Sequence, residues 1–100
     1  MSADSGEILL CCFLWARPGK EEGLKAYEDE VLSLIPQHDG EVVQRAQSDG
    51  FEDRPNEVQL YRFPSRAALD SYLADPARSA RADERDRVIA RTELFPVRFL

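Results

Sequence analysis

Residues 8–16 read Ile8-Leu9-Leu10-Cys11-Cys12-Phe13-Leu14-Trp15-Ala16. The run carries no charge and ends at Arg17-Pro18-Gly19, a turn signal. It is short for a helix, and a membrane-crossing helix needs ~20 apolar residues. A central β-strand buried on both faces fits it best. A half-solvated strand would alternate apolar with polar residues. Phe13 and Trp15 fall two apart and share one strand face, while the adjacent Cys11 and Cys12 point to opposite faces.

Outward from this strand the pattern is regular. Lys20 to Ile35 places Leu24, Tyr27, Val31, Leu34 and Ile35 on one helical stripe, with Glu28, Asp29 and Glu30 read as an exposed charge run. Pro36 stops the helix, and His38-Asp39-Gly40 turns the chain. Glu41 to Ser48 alternates as a strand, with Val43 and Arg45 on one side and Val42, Gln44 and Ala46 on the other. Residues 48–56 are rich in Asp, Gly, Pro and Asn and form a loop. Glu57 to Phe63 is a third strand, with Val58 and Leu60 opposed to Gln59 and Tyr61. Ser65 caps a second helix with Ala68, Leu69, Tyr72 and Leu73 on its stripe. Asp75-Pro76 restarts the helix, which continues to about Ala90 through a charged run from Arg78 to Arg87, with Asp83 and Arg87 spaced to pair. Thr92 to Phe99 is a last, edge-like strand, because Pro96 cannot donate to a ladder.

The order strand, helix, strand, strand, helix, strand makes two interlocked right-handed βαβ units. That is an α+β, ferredoxin-like βαββαβ fold, a four-stranded antiparallel sheet with both helices on one face. The other face then carries exposed apolar groups, which mark an interface or a ligand groove. A second copy packed sheet to sheet, a dimeric α/β barrel, solves this most simply. With 100 residues there is one domain, residues 7–100, after a loose segment 1–6.

Charge narrows the partners. The chain has 13 basic and 19 acidic residues, and all the excess acid lies in the first fifty. Nucleic-acid binding rests on neutralising phosphates, so this balance argues against nucleic acid and against anionic membranes. No basic leader precedes the apolar run, and a cytoplasmic protein is expected. Cys11 and Cys12 lack the spacing of a disulfide, zinc or redox motif; they read as small core groups, with a reactive thiol as the alternative.

Several stretches resemble a known family. Tyr61-Arg62-Phe63-Pro64-Ser65-Arg66-Ala67-Ala68-Leu69 resembles the Phe-Pro-Ser strand-to-helix junction of the DUF1330 family. Asp75-Pro76-Ala77 and His38-Asp39-Gly40-Glu41-Val42-Val43-Gln44-Arg45 are similar to its later helix restart and its Gly-rich entry into strand two. Glu41 replaces the second glycine usual there. The resemblance implies the dimeric α/β-barrel superfamily. Its members include cofactor-free antibiotic-biosynthesis monooxygenases, small polyketide cyclases, muconolactone isomerases and haem-degrading enzymes. By this analogy the expected function is a small cofactor-independent enzyme of cyclase, isomerase or monooxygenase type. It would act on an aromatic or polyketide-like molecule, in a pocket between sheet and helices or between dimer sheets. The alternative is a non-catalytic small-molecule-binding or dimerisation module.

The candidate catalytic residues are His38, Tyr61 and Arg45; Phe13, Trp15 and Gln59 are candidates for binding substrate. His38, the sole histidine, is either a general base or a surface or capping group. Arg45 either clamps an oxyanion or pairs with an acid such as Glu57. Tyr61, beside Gln59, either offers a hydroxyl to a substrate carbonyl or closes the interior. Phe13 and Trp15 either wall a pocket or pack in a core or dimer. Tyr27 and Tyr72 lie on helix stripes and read as core. A lone histidine argues against haem or non-haem metal chemistry, so neither cofactor nor metal is expected.

Overall fold

A computed structural model describes residues 6–100; the expected loose segment 1–6 lies, but for Gly6, outside the described residues. The elements are β1 (Ile8–Ala16), α1 (Glu21–Leu32), a 3-10 turn (Ile35–His38), β2 (Glu41–Gln47) and a second such turn (Phe51–Asp53). Then follow β3 (Glu57–Phe63), α2 (Arg66–Leu73), α3 (Pro76–Ser79), α4 (Ala82–Val88) and β4 (Ile89–Pro96). The sheet order is β2-β3-β1-β4, and every pairing is antiparallel. This is the ferredoxin-like arrangement, with β1 and β3 central.

All helices cover one face. Leu24, Tyr27 and Val31 of α1, Leu69 and Tyr72 of α2, and Val88 of α4 pack on Leu10, Cys12 and Leu14 of β1 and on Tyr61 and Phe63 of β3. Ile35, in the turn after α1, is fully buried. Gly40 permits the chain to pass this core: a Cβ there would lie 2.6 Å from the Phe63 ring and 2.8 Å from Ile35. The expected caps form. Ser65 accepts from the amide of Ala68 at 3.1 Å, and Asp75 accepts from Ala77 at 2.8 Å, with Pro76 opening α3.

Five sequence expectations need correction. A bulge in β2 shifts the register between Val42 and Gln44. One extra residue there reverses the alternation, so Val42 and Arg45 share the helix-covered side. The first helix ends at Leu32, and the last strand begins at Ile89, three residues earlier than its pattern suggests. Glu28 is buried rather than part of an exposed run. It stands four residues after Leu24 and three before Val31, inside the apolar stripe. The ion pairs of the basic run join Arg81 to Glu84 and Glu30.

Candidate functional site

β3 turns its polar residues inward. Glu57, Gln59 and Tyr61 are buried under the helices, and Val58 and Leu60 lie on the opposite face. Polar groups removed from water must find partners, and these form a chain. The Tyr61 hydroxyl donates to Gln59 Oε1. Gln59 Nε2 lies 3.0 Å from Glu28 Oε1 and 3.0 Å from Glu57 Oε2. Arg45 Nε donates to Glu57 Oε2 at 2.5 Å, and its Nη1 donates to Asp29 Oδ1 at 2.7 Å. Lys25 closes the chain on Asp29 at 3.0 Å. A hydrogen-bonded path thus runs from the interior to the helix surface.

Its inner end borders a cavity of about 60 Å3 between sheet and helices. Leu14, Val31, Phe63 and Leu69 are among its apolar walls; Glu28, Tyr61, Tyr72, Arg78, Arg85 and Cys12 bring the ionisable groups. Leu94, on the edge strand and 42% exposed, stands at the rim. The electrostatics follow from burial. Desolvation pushes the Glu28 carboxyl above its ordinary value, against the hydrogen bond from Gln59. The Cys12 thiol is pushed up to about 12 and the Tyr72 hydroxyl to about 12, and Tyr61 is raised further. These three groups stay neutral near pH 7. Glu57 and Asp29 hold the Arg45 guanidinium firmly charged, and Arg45 and Lys25 hold the exposed Asp29 carboxyl low.

The sequence candidates separate into three places. Arg45, Gln59 and Tyr61 join the buried chain; Tyr61 lines the cavity, whereas Arg45 engages Glu57 and Asp29 at the outer end. Phe13 and Trp15 lie on the other side of the sheet. There Phe13 meets Phe95 edge-on at 5.2 Å and Trp15 at 6.1 Å, while Arg91 stacks on Trp15 at 4.1 Å. The Trp15 indole N–H donates to the carbonyl of Asp53 at 2.9 Å.

His38 stands behind the cavity wall, its ring 6.0 Å from that of Tyr72. Its Nε2 meets Asp75 Oδ2 and its Nδ1 meets Ser71 Oγ, each at 2.7 Å. This bond holds the Asp75 carboxyl below its usual range. Because Asp75 also caps α3, the trio ties the 35–38 turn to α2 and α3. Glu28, Arg78 and Arg85 line the cavity without standing out as candidates in the sequence. The place of Glu28 within the apolar stripe was the one available signal. Among the described residues, no three His, Cys, Asp or Glu side chains group as a metal ion would need. No described helix is long and apolar enough to cross a membrane.

No protein-family model matches the chain, and no curated protein matches it. Solved structures do. A protein of unknown function from Rhodopseudomonas palustris superposes with a TM-score of 0.77 at 19% identity, covering 96% of this chain and 84% of that one. A proposed antibiotic biosynthesis monooxygenase from Bacteroides thetaiotaomicron gives 0.74 at 18% identity, covering 95% and 90%. A protein from Bacteroides fragilis, described as dimeric and ferredoxin-like, gives 0.69 at 10% identity, covering 94% and 97%. At such identities the likeness establishes the ferredoxin-like fold of this chain.

Proposed function

We propose that this protein is a small-molecule enzyme that needs no cofactor. Its site is the cavity between sheet and helices, and its first step is proton abstraction from an aromatic or polyketide-like substrate. The observation that carries this reading is the buried Glu28 carboxyl in a largely apolar wall. Its raised pKa suits a general base working near neutrality. Gln59 holds one Glu28 oxygen and leaves the other for a substrate proton. Tyr61 fixes Gln59, Arg45 fixes Glu57, and Arg85 is a cavity cation available to a developing oxyanion. Ring closure, a double-bond shift or addition of molecular oxygen then follows according to the substrate.

Phe13 and Trp15 take the dimer role. The open face has an apolar centre of Cys11, Phe13, Leu60 and Phe95. Its charged rim is Arg62 with Glu41 at one end and Arg91 with Glu93 at the other. That anatomy is an interface's, and it fits a cytoplasmic homodimer of the dimeric α/β-barrel type, with the DUF1330 resemblance as the finer assignment. The dimeric description of the Bacteroides fragilis neighbour supports it.

The test is deuterium exchange at the acidic carbon of 2-tetralone, an enolisable ketone with an aromatic ring, followed by NMR. Wild type is expected to accelerate exchange about 100-fold or more over buffer, the usual scale of general base catalysis. Glu28→Gln loses that acceleration. Exchange at the buffer rate with wild type overturns the enzyme reading. A second reading rests on size. Ligand pockets run to ~300–1,000 Å3, and a cavity of about 60 Å3 suits a non-catalytic binding or dimerisation module unless its helical wall yields.

A further inference from the structure

Arg78 is the one described residue with a buried side-chain polar atom that lacks a hydrogen-bond partner, its Nε. The rest of the guanidinium faces the Tyr72 hydroxyl as a hydrogen-bond donor. One Nη reaches the Leu73 carbonyl at 3.5 Å, and the group stacks over the Tyr72 ring at 5.2 Å. A guanidinium presents five N–H donors in a planar fork, and leaving even the Nε donor buried and unmatched is unfavourable. Arg78 sits on α3, a single turn, and lines the same cavity as Arg85, which touches Thr92 Oγ1 at 3.3 Å. Among the described residues, the one carboxylate lining that cavity is Glu28, and Gln59 already bonds one of its oxygens. Two guanidinium groups therefore face one engaged carboxylate.

We propose that the cavity selects small organic molecules carrying a carboxylate, and that Arg78 receives that group. The inference rests on the cavity being the binding site, and it adds the substrate's charge. A carboxylate matches the guanidinium fork two atoms to two. The cavity has room for a few waters only, so the acid head enters and the remainder of the molecule extends past Leu94.

The experiment is an NMR titration of the whole chain with benzoate and with benzamide, which share ring and size but differ in charge. Wild type is expected to bind benzoate at least tenfold more tightly, with amide shifts at Tyr72, Leu73 and Arg78. Arg78→Met abolishes the preference, Arg78→Lys keeps part of it, and the exposed Arg87→Met leaves it unchanged. Equal affinity of wild type for the two ligands overturns the carboxylate inference while leaving the cavity reading intact, and needs no variant to fold. A benzoate preference that survives in Arg78→Met removes Arg78 from the role. Failure of both ligands to shift any cavity residue overturns the binding-site reading together with this one.

Discussion

The two faces of the sheet are composed against habit. The face under the helices holds the core residues Leu10, Cys12, Leu14 and Phe63, and beside them Glu57, Gln59, Tyr61 and Arg45, joined to Glu28 and Asp29 of α1. The uncovered face holds Cys11, Phe13, Trp15, Leu60 and Phe95. A monomer built for stability alone would bury fewer polar groups and leave fewer apolar ones uncovered, because buried polar groups are tolerated only when paired and apolar surface left in water is unfavourable. Under the proposed function, the inner face serves chemistry and the outer face assembly.

The largest break is at the centre of the inner face. Gln59→Leu removes the partner of the Tyr61 hydroxyl and of two carboxylates at once. Unsatisfied buried groups of this kind are expected to cost about 3 kcal/mol or more. For a domain this size that lowers Tm by more than about 10 °C, readable by calorimetry. A loss within about 0.5 kcal/mol would mean that water replaces the chain without penalty.

The next break is on the outer face. Phe13→Glu puts a charge among the open-face aromatics and is expected to weaken dimerisation by roughly 30-fold or more, the scale of an interface hot spot. Stability of the monomer should change little. Sedimentation equilibrium reads the result, and a wild type that stays monomeric at every concentration would remove the assembly role.

A third test sharpens the inner face by pH. The raised Glu28 pKa adds stability below the ordinary carboxylate range, and that contribution disappears as pH rises through the raised value. The lowered Asp29 has the opposite sign: its contribution is present above the ordinary range and lost as pH falls. Glu28→Gln should therefore gain stability relative to wild type between pH 4 and 8, by urea midpoint. Parallel curves would place Glu28 in water. The smallest effect belongs to the outer end of the chain. Lys25→Ala removes an exposed ion pair with Asp29 and should change stability by no more than about 0.5 kcal/mol.

Much of this architecture was legible in residues. The charge-free run Ile8–Ala16 marked the central strand. Ser65, Asp75 and Pro76 marked helix starts, and the alternation of Val58 and Leu60 against Gln59 and Tyr61 was visible before any fold. Its direction was not, since a period of two names two faces without saying which is covered. The β2 bulge hid the side of Arg45, because one inserted residue leaves no compositional mark. Glu28 was read with its charged neighbours rather than with Leu24 and Val31. Arg78 was masked by the basic run around it, and only packing distinguishes an arginine folded onto Tyr72 from one in water.

The most direct measurement is an amide chemical-shift map of the whole chain titrated with 2-tetralone, a neutral aromatic ligand. Shifts are expected only in the cavity under the helices, at Val31, Tyr61, Leu69 and Tyr72. Shifts centred instead on Phe13, Trp15 and Leu60 would place binding on the open face and contradict the division between the two sides.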